Sequence, residues 1–196
     1  MTRVNREYKE RLFRKLFGSD DMKEDILSLY NALNNSNYTN KEDLVLRTLG
    51  DSVYMSMKKD VAFLIDSYLS LWEQQSTYNP NMPIRGLMYF GRMYDAYLTE
   101  NCCNIYGTKL VPIPTPRYIV FYNGMKDIEP ITKMRLSDAF ITRPENNDFE
   151  WTATMYNLNK GKNEELLSKC KILSDYMCFV NYVSEYIGKG YGTYGI

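Results

Sequence analysis

Apolar and polar positions alternate along this chain with two periods, one helical and one extended. Asn5 to Phe17 carries Leu12, Phe13, Leu16 and Phe17 at helical spacing and meets a stop at Gly18. Ser19-Asp20-Asp21 then offers caps for a second helix, roughly Met22 to Leu33, with Ile26, Leu27, Leu29, Tyr30 and Leu33 on its inner face. The polar run Asn34 to Asn40 predicts a loop, and a short extended piece follows around Leu44 to Leu46. Three strand signals come next: Val53 to Met57, Val61 to Ile65 and Leu69 to Gln75. Lys58-Lys59 and Asp66-Ser67 break them. A long helix starts at Asn81 or Met82, with Pro83 in its first turn and Leu87, Phe90, Met93, Tyr94 and Tyr97 behind it. Arg117 to Tyr122 is a β-branched and aromatic run that stops at Asn123-Gly124, the pattern of a buried strand. A looser region leads to a strand at Glu150 to Met155. One last helix is predicted from Asn163 to about Ile187, carrying Leu166, Leu167, Cys170, Leu173, Met177, Val180 and Val183.

Helices, a three-strand meander, a helix and a further strand add up to a mixed α/β sheet with helices on its faces. Residues 1–187 read as a single domain, and the glycine- and tyrosine-rich stretch 188–196 as a frayed tail.

A turn at Asp66-Ser67 sets the register of the second hairpin. It places Ala62 opposite Leu71, Leu64 opposite Leu69, and Asp60 opposite Glu73. Gln75 points to the same side. Two carboxylates then end an otherwise apolar face, which is costly without a cation or hydrogen bonds. A solvated hairpin edge and a divalent-metal site both account for the spacing, and the second suggests phosphodiester chemistry. A slipped register would bring in Asp51 or Asp66 instead. Glu10 shares a helix face with Phe13 and Phe17, either as a solvated rim glutamate or as a further acid of the site. Arg85, Tyr89 and Arg92 form one stripe of the long helix, either a solvated face or a contact for a phosphate backbone.

Composition narrows the chemistry. Among 196 residues there is no histidine, which removes imidazole acid-base catalysis, Ser-His and Cys-His nucleophiles and His-ligated metals. Any metal would rest on carboxylates and carbonyls, a donor set for magnesium or manganese. The 24 basic and 24 acidic residues cancel, so no overall basic field points to nucleic acid. Cys102, Cys103, Cys170 and Cys178 lack zinc spacing and read as reduced thiols. With a charged N-terminus and no long apolar run, the chain reads as cytoplasmic, with no membrane partner.

Five segments together resemble the Rpn-type recombination-promoting nucleases, the PD-(D/E)XK nuclease family transposases. Glu10-Arg-Leu-Phe13-Arg-Lys-Leu-Phe17-Gly18 resembles that family's opening acid-x-x-Phe-Lys helix. Tyr54-Met-Ser-Met-Lys-Lys-Asp60-Val-Ala-Phe63 resembles the strand that carries its first metal-binding aspartate. Leu71-Trp-Glu73-Gln74-Gln75-Ser76-Thr77 resembles its Glu-His-Gln-Ser signature. Met82-Pro-Ile-Arg85-Gly-Leu-Met-Tyr89 resembles its Met-x-x-Arg-x-x-x-Tyr helix, and Pro114-Thr-Pro116-Arg-Tyr-Ile-Val-Phe-Tyr122-Asn-Gly124 its next core strand. The likeness runs from about Arg6 to about Ile187.

The resemblance implies a restriction-endonuclease-like fold and a metal-dependent DNA endonuclease associated with recombination or a mobile element. It implies magnesium or manganese on Asp60, Glu73 and the Gln74 carbonyl, with Glu10 assisting. Gln75 stands where the general motif has lysine, and can orient water without adding charge. Gln74 replaces a frequent histidine. DNA is the expected partner, with a homodimer left open. The alternatives are a weakly active or inactive transposase-derived module that binds DNA or protein, and an interaction domain with a tyrosine-rich surface.

Overall fold

The computed structural model describes residues 8–47, 60–142, 145–146 and 148–189. Helix α1 (Tyr8–Phe17) buries Phe13 and Phe17 and exposes Arg11, Arg14 and Lys15, as its spacing requires. A 3-10 turn at Asp20–Met22 leads into α2 (Lys23–Asn34), which ends at Asn35 in the left-handed conformation (φ 49°). Strand β1 (Leu44–Arg47) follows, then β2 (Val61–Ile65) and β3 (Tyr68–Gln75). Helix α3 (Met82–Glu100) crosses to β4 (Thr115–Tyr122). Strands β5 (Ile131–Arg135) and β6 (Thr152–Asn157) come next, and helices α4 (Glu164–Lys169) and α5 (Lys171–Gly188) close the described chain.

The strands form a six-stranded mixed sheet in the order β1-β2-β3-β4-β6-β5. β1, β2 and β3 are an antiparallel meander. β4 pairs parallel to β3 and to β6, and β5 closes the far edge antiparallel to β6. The expected α/β class therefore holds. In the β2–β3 hairpin, Ala62 faces Leu71 and Leu64 faces Leu69 across a two-residue turn, the register predicted from the sequence. Asp66 occupies the turn at φ 51°, exposed and at the opposite end of the hairpin from Glu73, so it does not stand in for either acid.

Side chains of one strand serve two cores. Phe63, Trp72, Ile119 and Phe121 point to the face covered by α1, α2, α4 and α5. Trp72 packs edge-on against Phe17, Phe63 and Phe121, with ring centroids 6.2, 4.7 and 5.9 Å apart. Leu69, Leu71, Tyr118, Val120 and Tyr122 point to the other face, under α3. With Trp72 locked into the first core, alternation sends Glu73 toward α3.

Two expectations are corrected. Ile131–Arg135 is a further strand that the sequence pattern does not predict: only Met134 is buried, and this charged edge strand has no apolar alternation to read. The single C-terminal helix is two, broken at Cys170, whose backbone is extended (φ −128°, ψ 98°). Leu166, Cys170, Leu173 and Met177 keep to one core across the break, so their helical spacing alone does not reveal it. The described neighbour of β2 is the short piece at Leu44–Arg47; the expected strand Val53–Met57, Lys58-Lys59 and Asp51 lie outside the described residues. Pro116 is accommodated because β4 pairs with β3 alone there, contact with β6 beginning at Ile119. All four cysteines are free thiols, Cys170 buried and Cys102 and Cys178 exposed. Among the described residues no helix is long and apolar enough to cross a membrane.

Gly86 sets the distance between α3 and the sheet. A Cβ there would stand 2.5 Å from Tyr118 Cδ1 and 2.8 Å from Trp151 Nε1, closer than packed atoms permit. Gly91, on the same helix, faces open space. Gly86→Ala is expected to lower stability by about 1–3 kcal/mol through overpacking, despite the better helix propensity of alanine. Gly91→Ala should raise it by up to about 1 kcal/mol. Urea midpoints of the two variants check this; equal stabilisation in both would show that α3 does not press on Tyr118.

Candidate active site

The hairpin register carries the acids to one end of the sheet. Pairing runs out to Val61 and Trp72, and Asp60 and Glu73 are the next positions on the two strands. Glu73 is 1 % exposed, on a strand with neighbours on both sides. A carboxylate so placed must be satisfied by the protein. Arg85, on the first turns of α3, makes an ion pair with Oε1. Gln75 donates from Nε2 to the same oxygen at 2.6 Å, and the Tyr118 hydroxyl donates to Oε2. Arg85 is itself braced: Nε and Nη2 donate to the Tyr89 hydroxyl at 3.3 and 3.1 Å.

Burial pushes the Glu73 carboxyl above its ordinary range. Arg85 and the Tyr118 and Gln75 hydrogen bonds pull the other way, while the charge of Glu10 adds to the rise. The Tyr118 phenol is pushed well above its ordinary value, by burial first, then by Glu73, and also by Asp60. Asp60 and Glu73 thus act on one phenol. Asp60 is half-buried, with Oδ2 sealed from water. Burial lowers the Arg85 pKa, but the charge of Glu73 overrides it and the guanidinium is held more firmly protonated than usual.

Glu10 approaches from α1. Its position is fixed by a chain of buried polar contacts at the ends of β3 and β4. Gln74 Nε2 donates to Asn123 Oδ1 at 2.8 Å, and Asn123 Nδ2 donates to the Tyr176 hydroxyl at 3.1 Å. That hydroxyl donates to the Lys9 carbonyl at 3.2 Å, and Lys9 Nζ donates to the Asn123 carbonyl at 3.3 Å. Strand β3, strand β4, α5 and α1 are joined next to Glu10. The Gln74 side chain belongs to this network, on the sheet face opposite Glu73, as alternation along β3 requires.

The structure therefore brings together Asp60, Glu73, Gln75, Arg85 and Tyr89, with Glu10 within electrostatic reach. Arg85 and Tyr89 turn inward to the acid; Tyr89 is buried, and Arg92, one turn on, is exposed. Two members, Tyr118 and Asn123, were not singled out in the sequence. Alternation along β4 puts Tyr118 on the Glu73 face, but only the β3–β4 register shows that it pairs beside Leu71 and can reach the acid. No family model matches the chain, and no curated protein or solved structure matches it.

The donors fit a hard divalent cation in kind: carboxylate and amide oxygens, with no imidazole in the chain. Among the described residues no three carboxylates, thiols or imidazoles close into a cage. Magnesium commonly rests on one or two carboxylates, with water and phosphate completing its shell, so a pair suffices. The Arg85 guanidinium supplies the countercharge that a cation would share.

Arg85→Met should leave a buried carboxylate without its cation and cost about 3 kcal/mol near pH 8. The sign with pH follows from the raised Glu73 pKa. The folded state holds this proton more tightly than the unfolded chain, so stability is greatest below the ordinary glutamate range and falls as pH rises through the folded value. Arg85→Met should steepen that fall and Glu73→Gln should remove it, as followed by urea unfolding from pH 4 to pH 8. A pH-independent loss in Arg85→Met would mean that Glu73 is not the group left exposed to the change.

Proposed function

We propose that this protein is a metal-dependent DNA endonuclease with a restriction-endonuclease-like core, acting in recombination or mobile-element biology. One observation carries the proposal: Glu73 is buried at the end of a register-fixed hairpin, next to the position of Asp60, with Gln75 hydrogen-bonded to it. The meander, the α3 crossover and the parallel β4 have the strand order that the resemblance implies. A magnesium or manganese ion on Asp60, Glu73 and the Gln74 carbonyl would activate a bound water and offset charge on the phosphate.

The residues of the chain supply the rest. The Gln75 amide, held by Glu73, presents a second N–H that can orient a water molecule. It carries no charge, so it lacks the electrostatic contribution of a lysine at that place. Glu10 extends the negative field from α1. Arg85 neutralises Glu73 in the resting site and, once that charge is shared, is free to contact a phosphate oxygen. Tyr89 keeps the guanidinium oriented, and Arg92 lies further along the same helix.

The tight Arg85–Glu73 pair gives a second reading a specific basis. If that pair never opens, the chain is a DNA- or protein-binding module without cleavage. Nicking of supercoiled plasmid separates the two. Cleavage is expected with magnesium or manganese and not with chelator, and Asp60→Ala and Glu73→Ala should each reduce it at least a hundredfold while both variants remain folded. Full activity in either variant would remove that residue from the site. Absence of cleavage by the parent protein under both metals would leave the binding module.

Metal affinity provides a readout independent of turnover. Arg85→Met should bind manganese more tightly than the parent by about tenfold, because the competing guanidinium is gone. Calorimetric titration measures this, and equal affinities would show that Arg85 and the ion do not share Glu73.

A further inference from the structure

We propose that a groove along α1, lined by Arg11, Arg14 and Lys15, is the track for the DNA phosphate backbone and leads one strand to the acidic site. The choice of DNA rests on the proposed nuclease function; the groove itself rests on separate observations. A cavity of about 520 Å³ is lined by Glu10, Arg11, Arg14, Lys15, Gly18, Ser19 and Asp21. Three of these side chains are cationic and all three are exposed. Arg11, Arg14 and Lys15 lie at i, i+3 and i+4, on the side of the helix away from buried Phe13 and Phe17.

Gly18, at the end of α1, lets the chain turn close against the last helical turn beside the groove. A Cβ on Gly18 would stand 2.6 Å from the Arg14 carbonyl oxygen and 3.1 Å from its Cγ. Ser19, although at the cap of the following turn, makes no side-chain cap hydrogen bond, and it is among the residues that line the cavity. Guanidinium, ammonium and hydroxyl groups are the usual ligands of phosphate oxygens.

Glu10 joins the two regions. It lines the cavity, and its neighbour Lys9 is hydrogen-bonded to Asn123 and Tyr176 at the strand ends where Gln74 and Gln75 lie. A strand lying on Arg11, Arg14 and Lys15 therefore runs along the helix whose N-terminal end meets the strand ends that carry the acidic site. Cations near a helix C-terminus also complement its dipole, but that role needs no cavity and predicts no ligand.

The test is fluorescence anisotropy of a labelled DNA duplex, titrated with the full chain at several salt concentrations without divalent metal. Arg11→Gln/Arg14→Gln/Lys15→Gln is expected to weaken binding tenfold or more at about 100 mM salt. It should also reduce the slope of log K against log salt by about 2–3, one increment for each phosphate that is no longer neutralised. Thermal unfolding within a few degrees of the parent shows that the variant folds. Parent-like affinity and slope in a folded variant would overturn the groove while leaving the nuclease proposal intact. If the parent cleaves plasmid and the triple variant cleaves it equally well at limiting DNA, the groove is again overturned. If the parent neither binds nor cleaves DNA, both proposals fall together.

Discussion

A carboxylate sealed inside a sheet must be neutralised where it stands, and the rest of this site follows from that requirement. Glu73 lies on β3, between β2 and β4, with 1 % of its surface exposed. Removing such a group from water costs several kcal/mol unless charge and hydrogen bonds return it. Arg85 returns charge, Tyr118 and Gln75 return hydrogen bonds, and each comes from a different part of the fold. Helix α3 must therefore press close enough for Arg85 to reach the strand. Gly86, one residue on, is what allows that approach over the Tyr118 ring.

The opposite face supplies the anchor. Trp72 is held among Phe17, Phe63 and Phe121, and this aromatic packing fixes which way β3 presents its alternate residues. Turning Glu73 out of its site would expose Trp72, so the energetics of the large core secure the chemistry of the small one. The buried chain from Gln74 through Asn123 and Tyr176 to the α1 backbone has a similar effect on Glu10. It ties the first helix to the strand ends, and with it the groove of cationic side chains that begins beside Glu10.

Neutral overall charge is no obstacle to a nucleic-acid partner under this arrangement. The charges are placed locally: Asp60 and Glu73 follow the last paired positions of the hairpin, while Arg11, Arg14 and Lys15 share one side of α1, with Glu10 and Asp21 in the same groove. Fields at contact distance depend on that placement and not on the sum. With glutamine at position 75, the positive charge next to Glu73 comes from Arg85, on another element.

Local patterns determined much of this molecule. Period-two alternation and the Asp66-Ser67 break defined β2, β3 and their register, and hence the proximity of Asp60 and Glu73. Helical spacing with Gly18 and Pro83 as punctuation defined α1 and α3. Edge strand β5 was invisible because a half-solvated strand needs no apolar alternation, and the break at Cys170 because the apolar stripe runs on through it at helical spacing. The inward turn of Arg85 and Tyr89 could not be read from a stripe on a helix, since spacing fixes which residues share a face but not what that face meets. Nor could the role of Tyr118, or the link from Glu10 to Glu73. Those contacts span tens of residues in sequence, and only the tertiary structure brings their partners within hydrogen-bonding or electrostatic range.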